Sequence, residues 1–315
     1  MRKFVGPFVY ALLLLSFTVY IALDTFVIAR VYAPEQASST QSQTQSTGAE
    51  SLSATDASTQ DPEIQQGSGQ VLITDNTYSD DHIHISITPY REYNSTIYVA
   101  DVTLSSSKYL QTALAQNAYG RNVTEKTSEI AQENHAILAI NGDYYGAQEN
   151  GYVLRNGVLY RNTASRDQED LVIDADGRFE IILENEVSAE ALLENGAMQV
   201  LSFGPALVKE SEICVSPDDE VGRARSSNPR TAIAMVDDLH YLFIVSDGRT
   251  TESAGLSLYE LAQFAKDLGA KVAYNLDGGG SSTLYFNGEI INNPTTDGQH
   301  IRERSVSDIV FIGNG

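Results

Sequence analysis

Apolar and polar positions divide the chain into three parts. Residues 4–23, FVGPFVYALLLLSFTVYIAL, contain no charged residue and as a helix would match the hydrocarbon thickness of a bilayer. Residues 34–70 are rich in Ser, Thr and Gln and lack aromatic residues, which is typical of a disordered tether. From residue 71 apolar and polar residues alternate in short runs, which predicts a folded, strand-rich domain over residues 71–315.

The apolar segment predicts a cytoplasmic stub and transmembrane anchor over residues 1–33. A cleaved signal peptide is the alternative, but its best cleavage site ends at Ala33, with Val31 two residues earlier and Pro34 next, which is a poor pattern. Arg2 and Lys3 place the N-terminus in the cytoplasm. We therefore expect a single-pass protein of the cell membrane whose C-terminal domain is extracytoplasmic.

The outer domain is predicted to be an α+β fold, with a mixed or antiparallel β-sheet core and a few flanking helices. Two turn signals, Asn156-Gly157 and Asp176-Gly177, each separate apolar runs and predict hairpins. Ser257 and Glu260 form a capping box at the start of the clearest helix. The buried run KVAYNL then predicts a strand with Asp277 directly after its end.

Charge and cysteine content narrow the function classes. The formal net charge is -22, which argues against nucleic acid or anionic lipid as a partner of the outer domain. The chain has one cysteine, Cys214, so it forms no internal disulfide, and stability must come from the core. This composition suits a domain at a bacterial surface.

Four apolar runs end in Asn, Asp or Arg beside glycine or proline. Turn chemistry explains any one of these clusters, but four that include acids and arginines favour a convergent site. The clusters are Asn141-Gly142-Asp143, Asn228-Pro229-Arg230, Asp247-Gly248-Arg249 and Asn275-Leu276-Asp277-Gly278.

The glycine run after Asp277 fits none of the common phosphate or nucleophile motifs. No lysine follows Gly280 as a Walker loop requires, and STLYF predicts a strand where a dinucleotide fingerprint needs a helix. Thr283 occupies the position of the last glycine of a nucleophile elbow. Without obstructing side chains the backbone amides could form an anion nest, to which Arg230 would add donors. The predicted nest comprises Gly278, Gly279, Gly280, Ser281 and Ser282.

The order of several motifs resembles the phosphodiester glycosidase family. The motifs are NGDYY, FGPALV, NPRTAIA, SDGR, SLYELAQFAKDLGA, NLDGGGSST and RERSVSDIVF, and they span about residues 135–312. The resemblance implies a hydrolase domain that cleaves a sugar-1-phosphodiester at the anomeric carbon and releases the free sugar and a phosphomonoester. The substrate is expected to be a glycosyl phosphate of a cell-wall polymer, an exopolysaccharide or a nucleotide sugar.

This chemistry assigns expected roles to the strand-end residues. The phosphodiester is already a good leaving group, so a carboxylate that activates water or stabilises the oxocarbenium-like centre is the main requirement. Asp277 and Asp143 are the catalytic candidates. The substrate-binding candidates are Arg230 and the glycine-nest residues for phosphate, Asp247, Asn141 and Asn275 for sugar hydroxyls or for orienting the acids, and Arg302 or Arg304 to complete the anion site.

Two other function classes stay open. A non-catalytic glycan or cell-wall binding module could use the same pocket. A phosphodiesterase that cleaves the P–O bond is disfavoured, because no cluster has the His and Asp spacing of a two-metal site. No cofactor and no metal ligand are predicted, although a divalent ion held by some of the aspartates is left open.

Overall fold

The computed structural model describes residues 5–35, 71–217 and 227–313, and in the first helix it describes side chains from Tyr10 onward. Residues 36–70 of the predicted tether lie outside the described residues. The helices are α1 (Val5–Phe26), α2 (Thr127–Glu133), α3 (Ala189–Glu194) and α4 (Leu258–Asp267). The strands are β1 (Arg30–Val31), β2 (Leu72–Ile73), β3 (Thr77–Ser79), β4 (Ile83–Glu92), β5 (Ser95–Leu104), β6 (Leu110–Leu114), β7 (Gly120–Arg121), β8 (Leu138–Asn141), β9 (Val153–Arg155), β10 (Val158–Arg161), β11 (Glu169–Asp174), β12 (Phe179–Leu183), β13 (Ala197–Leu201), β14 (Ala206–Lys209), β15 (Glu212–Ile213), β16 (Arg230–Asp237), β17 (His240–Ser246), β18 (Val272–Leu276), β19 (Leu284–Phe286), β20 (Glu289–Ile290) and β21 (Asp308–Ile312).

The described strands form one large sheet, two smaller sheets and a short ribbon. The large sheet has the order β15-β14-β18-β16-β17-β5-β4-β3-β2, and the two five-stranded sheets have the orders β20-β19-β8-β21-β6 and β10-β9-β13-β11-β12. The ribbon pairs β1 with β7, and neighbouring strands in the sheets run antiparallel. The α+β prediction with a mostly antiparallel core is therefore confirmed.

The main core lies between the large sheet and the sheet that contains β8. Phe243 and Tyr274 from the large sheet meet Ile140 and Val310 from the smaller one, and all four are fully buried. Helix α4 covers the outer face of the large sheet. Helix α2 covers the outer face of the smaller sheet. This order of layers follows from strands that are apolar on both faces and helices that are apolar on one.

Local signals in the sequence explain the elements nearest the site. The Asn156-Gly157 turn joins β9 to β10, and the β11–β12 hairpin turns at Asp176-Gly177, as predicted. Ser257 and Glu260 make the capping box at the start of α4. Strand β18 is an inner strand of the large sheet, between β14 and β16, and it ends immediately before Asp277.

Helix α1 carries a run of exposed apolar side chains, including Leu12 to Leu15. Among the described residues, however, no helix combines the length and the hydropathy needed to cross a membrane. The chain after α1 returns to the folded domain, because β1 pairs with β7 and the Tyr32 amide donates to the Tyr119 carbonyl (2.8 Å). The end of α1 is thus held against the domain.

Candidate active site

Asp277 lies where strand ends of the two facing sheets meet. The Asp277 amide donates to the carbonyl of Gly142, which follows β8 (3.3 Å), and Nδ2 of Asn141 donates to the Asp277 carbonyl (2.6 Å). Oδ1 of Asn141 accepts from the Thr231 hydroxyl (2.8 Å) and the Thr283 amide (3.3 Å). Asn141 is fully buried. Its side-chain amide therefore joins the sheets beneath the site, which favours the predicted orienting role over the predicted contact with a sugar hydroxyl.

Arg304 forms an ion pair with Asp277. Its Nη2 donates to both carboxylate oxygens (3.1 and 2.8 Å) and to the Gly278 carbonyl (3.0 Å), while its Nε donates to the Ser281 hydroxyl (2.8 Å). The Asp277 side chain is 12% exposed and the Arg304 side chain 42% exposed. The pair therefore reaches solvent, as a site that meets a substrate must.

The glycine run lets other parts of the protein approach the backbone. A Cβ atom on Gly280 would lie 2.1 Å from the Thr296 hydroxyl oxygen. Gly279 has a φ of +65°, and a Cβ there would lie 2.9 Å from Nη2 of Arg249. The arginine is fixed by the Thr296 carbonyl (2.9 Å) and by Oδ1 of Asn228. Glycine is needed here because Arg249 and Thr296 pack directly on the loop.

Four of the five backbone amides in the predicted anion nest donate to acceptors within the protein. A free nest needs adjacent N–H groups that point at the ligand. Here Gly278 donates to Oδ1 of Asp277 (2.8 Å), Gly279 to the Pro229 carbonyl (2.8 Å), Ser281 to the Gly278 carbonyl (3.3 Å) and Ser282 to the Gly279 carbonyl (3.2 Å).

Arg230 is brought next to Asp277, as predicted. Thr231 pairs with Leu276 across β16 and β18, so the next residues on these strands are neighbours. The Arg230 guanidinium is largely buried, and its Nε donates to the Leu256 carbonyl (3.0 Å). The structure thus brings the backbone of Arg230 next to that of Asp277, while the Arg230 side chain bonds to the residue before Ser257.

The other predicted binding residues have different surroundings. Asp247 accepts from the amide and the side chain of Asn293 (2.8 and 2.9 Å), which stabilises a loop. Asn275 donates to the Gly204 carbonyl (2.8 Å), and its buried Oδ1 has no hydrogen-bond partner among the described residues. Arg302 is exposed, and its backbone amide donates to the Pro294 carbonyl (2.8 Å). Of the two predicted C-terminal arginines, the structure brings Arg304 to Asp277.

Asp143 belongs to a buried ion cluster with Arg155 and Asp308. Arg155 donates from Nη2 to Oδ2 of Asp143 (2.7 Å) and from Nε to Oδ2 of Asp308 (2.9 Å). Asp143 also accepts from the amides of Ser202 (2.8 Å) and Tyr145 (3.0 Å), and its side chain is 0% exposed. The contacts thus satisfy Asp143 within the protein, which favours a positioning role over direct contact with substrate.

The buried cluster contains two residues that the sequence reasoning did not single out, Arg155 and Asp308. Burial, with the nearby Asp143 carboxylate, raises the pKa of Asp308 to about 8, although Arg155 opposes this. Burial alone would lower the pKa of Arg155, but the two carboxylates raise it. The sequence feature that could have identified them is a charged residue at the end of a buried apolar strand. Arg155 is the last residue of VLR in β9, and Asp308 is the first residue of DIVFI in β21.

A second pair of buried carboxyl groups, Asp170 and Glu184, lies behind Ser202. Glu184 accepts from the Tyr152 amide (2.8 Å) and the Ser202 hydroxyl (3.1 Å). Burial and the neighbouring Glu184 raise the pKa of Asp170 to about 10. Asp170 is therefore a protonated acid at neutral pH, and Ser202 links this pair to Asp143.

A cavity of about 200 Å³ adjoins Arg304 and is also lined by Tyr144, Ser307 and Phe26. Arg304 therefore contacts both Asp277 and this cavity. A larger groove of about 340 Å³ lies between residues 107–111 and strands β11 and β13, and it contains none of the predicted site residues. The cavity beside Arg304 is the relevant one for the predicted chemistry, because charge and space meet there.

Metal binding was left open by the sequence. In residues 5–35, 71–217 and 227–313, no three His, Cys, Asp or Glu side chains are grouped as a metal ion would require. The aspartates of the site are engaged mainly by arginines and backbone amides. The absence of a cofactor stays a prediction.

Comparisons with known proteins extend across the site. A SPbeta prophage-derived uncharacterized protein, YomE, of Bacillus subtilis (strain 168) is 31% identical over 201 residues, which cover 62% of this chain and 30% of that protein. The N-acetylglucosamine-1-phosphodiester alpha-N-acetylglucosaminidase of Mus musculus is 27% identical over 195 residues, covering 56% of this chain and 37% of the mouse protein. The matched regions thus span about a third of these relatives.

Two solved structures are similar in fold. The catalytic domain of zebrafish N-acetylglucosamine-1-phosphodiester alpha-N-acetylglucosaminidase, auto-inhibited by its pro-peptide, matches with a TM-score of 0.60 and 22% identity over 74% of this chain and 83% of that chain. A hypothetical protein from Synechocystis matches with a TM-score of 0.53 and 15% identity over 74% of this chain and 62% of that chain. At these identities the matches show the fold.

The family itself is shown by a match to a sequence model. Residues 134–313 match the model described as phosphodiester glycosidase. This match contains Asp143, Arg155, Asp277, Arg304 and Asp308, and therefore both the exposed ion pair and the buried cluster. Because it covers more than half of the chain, the chain belongs to the phosphodiester glycosidase family.

Proposed function

We propose that the chain hydrolyses a sugar-1-phosphodiester at the anomeric C–O bond, with Asp277 as the catalytic carboxylate. The Asp277–Arg304 pair carries the proposal, because it places a carboxylate and an exposed cation together beside a cavity. Family membership supports the same reaction class. The mouse relative is named for cleaving an N-acetylglucosamine-1-phosphodiester, which makes an N-acetylhexosamine the first sugar to test.

Arg304 is proposed to hold the phosphate. Its Nε and Nη2 bond to the protein, and among the described residues none accepts from its Nη1. A guanidinium fixed at one end and open at the other can bind a phosphate oxygen without losing its position. Arg230, whose strand pairs with the strand that ends before Asp277, adds positive charge as the leaving phosphate gains negative charge.

Asp277 is proposed to act at the sugar. The carboxylate either activates the attacking water or stabilises positive charge at the anomeric carbon, and the leaving phosphate needs little help from an acid. Asp143 cannot take this role without breaking its bonds to Arg155, Ser202 and Tyr145. Asp143 is therefore assigned to positioning the Asn141–Gly142 strand end on which Asp277 rests.

Isotope labelling tests the bond that is cleaved. The purified chain is incubated with an N-acetylhexosamine-1-phosphate methyl diester in oxygen-18 water, and both products are analysed by mass spectrometry. Label in the sugar supports the proposal, since water then attacks carbon. Label in the phosphate indicates a phosphodiesterase, and binding without turnover indicates a glycan-binding module.

We also propose that the domain is held at a cell surface and acts on surface glycosyl phosphates. The uncharged run at residues 4–23 and the exposed apolar side chains of α1 support this location. Carbonate extraction of membranes from cells that make the chain would test it, by comparison with a version that starts at residue 71. The longer chain should stay with the membrane, and its release by carbonate would contradict the proposal.

A further inference from the structure

The cavity beside Arg304 has an aromatic rim built from two distant segments. Phe26, at the end of α1, and Tyr144, after β8, line it together with Arg304 and Ser307. Phe26 is 78% exposed and Tyr144 is 46% exposed. When a ligand covers such exposed apolar side chains, the burial of their surface contributes favourable binding free energy.

The position of Phe26 is fixed by the domain. Nδ2 of Asn122 donates to the carbonyls of Thr25 (3.2 Å) and Ile28 (3.1 Å), on either side of Phe26. Strand β1 then pairs with β7 so closely that a Cβ on Gly120 would lie 2.0 Å from the Arg30 carbonyl oxygen. These contacts hold Phe26 in place as part of the cavity wall.

The two ends of a bound phosphodiester would have different surroundings. A phosphate bound to Arg304 would lie next to Asp277, so the sugar that is esterified to it would lie at the Asp277 carboxylate. The other ester arm then enters the cavity, where it meets Phe26 and Tyr144. The cavity lining also carries polar groups on Asn122, Thr124, Ser305 and Ser307, and Phe26 and Tyr144 are its large exposed aromatic side chains.

Helix α1 continues the apolar surface away from the cavity. Leu12, Leu13, Leu14 and Leu15 are all exposed, and four consecutive residues cover every side of a helix. A protein partner would cover one stripe of the helix, whereas apolar residues on all sides suit hydrocarbon. Helix α1, whose last residue Phe26 lines the cavity, thus presents a surface that matches a lipid chain.

Given the proposed function, on which this inference rests, we infer that the site takes amphiphilic glycosyl phosphodiesters, in which the phosphate is esterified to a hydrocarbon chain. Hydrolysis forms one bond from water to the anomeric carbon and breaks the bond from that carbon to oxygen, releasing the sugar and an alkyl phosphate. Phe26 and Tyr144 determine specificity for the alkyl group.

Matched alkyl esters test this substrate class. The purified full chain is given N-acetylhexosamine-1-phosphate as its methyl ester, its hexyl ester and its uridylyl derivative, a nucleotide sugar. We expect kcat/KM for the hexyl ester to exceed that for the methyl ester by about tenfold or more, because the added methylenes are buried. Equal values for the two esters, or a preference for the nucleotide sugar, would overturn the inference while leaving the proposed hydrolysis intact.

Substitution of Phe26 assigns the preference to the cavity wall. Phe26→Ser should lower the hexyl-to-methyl ratio severalfold, whereas Phe17→Ser, which changes an exposed phenylalanine of the same helix outside the cavity lining, should leave the ratio as it is. A Phe26→Ser variant that cleaves both esters faster to the same degree would show that Phe26 obstructs the site, and would contradict the inference.

A binding measurement keeps the inference testable if neither ester is hydrolysed. That result would contradict the proposed function. Calorimetry with hexyl phosphate and methyl phosphate would then measure the alkyl preference separately. Tighter binding of hexyl phosphate, weakened by Phe26→Ser, supports an alkyl subsite. Equal binding of the two phosphates overturns it.

Discussion

Two groups of acids and arginines in this domain have similar composition and opposite surroundings. In the first, Asp277 pairs with Arg304, whose side chain is 42% exposed and lines a cavity. In the second, Asp143 and Asp308 pair with Arg155, and all three side chains are almost completely buried. Charge in a solvent-accessible corner is available to a substrate, whereas charge in the interior is committed to neighbouring groups.

The comparison predicts which substitutions damage folding and which damage chemistry. The buried cluster lies behind β8, whose end contacts the Asp277 backbone. Changes there should lower the free energy of unfolding. Changes at Asp277 or Arg304 should lower the rate and leave folding nearly unchanged.

The largest effect on stability is expected from Arg155→Leu. The substitution leaves the acidic side chains of Asp143 and Asp308 buried without their cation, which should cost about 3–5 kcal/mol in the free energy of unfolding. Denaturant unfolding of the folded domain measures this. The matched control is Arg178→Leu, which removes an exposed pair with Asp176 and should change stability by about 0.5 kcal/mol or less. A similar loss in both variants would contradict the comparison.

A smaller effect, on catalysis, is expected from Arg304→Gln. Loss of the cation should lower kcat/KM for a glycosyl phosphodiester by about 10²-fold, because charged hydrogen bonds to the phosphate are lost in the transition state. Arg302→Gln removes a nearby exposed arginine and should have a clearly smaller effect. Steady-state kinetics of the two variants would decide which arginine serves the site, and a larger loss at Arg302 would reverse the assignment.

The smallest effect is a pH dependence of stability from Asp170. The pKa of its carboxyl is about 10 in the folded protein and about 3.9 in an unfolded chain. Between these values the folded state holds the extra proton, so the free energy of unfolding falls as pH rises from about 4 to about 10.

Asp170→Asn should flatten that part of the profile, since the amide does not ionise. The difference in stability between pH 6 and pH 9 should shrink by at least about 1 kcal/mol. Unfolding curves at the two pH values measure it. A variant with the same pH slope as the parent chain would mean that Asp170 is ionised when buried.

Local sequence patterns were sufficient for much of the fold and for the main pair of the site. The hairpin turns, the capping box of α4 and the strand that presents Asp277 follow from spacing and turn chemistry, which act over a few residues. Arg304 was one of two candidates that sequence alone could not separate. The choice depends on a loop that brings its guanidinium back to Ser281.

The buried cluster and the glycine loop could not be predicted in the same way. In the sequence, Arg155 is a single polar residue in a predicted hairpin strand, and its partner Asp308 lies 153 positions away along the chain. The glycine run predicted room for a ligand, but Thr296 and Arg249 occupy that space. Both outcomes depend on which distant segments pack together, and residue spacing does not encode that information.

Asp277 is assigned to the chemistry and Asp143 to the structure, and a pair of matched substitutions separates these two roles. Turnover of an N-acetylhexosamine-1-phosphodiester and the free energy of unfolding are measured for Asp277→Asn and Asp143→Asn. We predict that Asp277→Asn lowers kcat by about 10²–10⁴-fold with folding nearly unchanged. Asp143→Asn should chiefly lower stability, because it removes a buried charge that Arg155 requires. Full activity in Asp277→Asn would show that Asp277 is not the catalytic carboxylate.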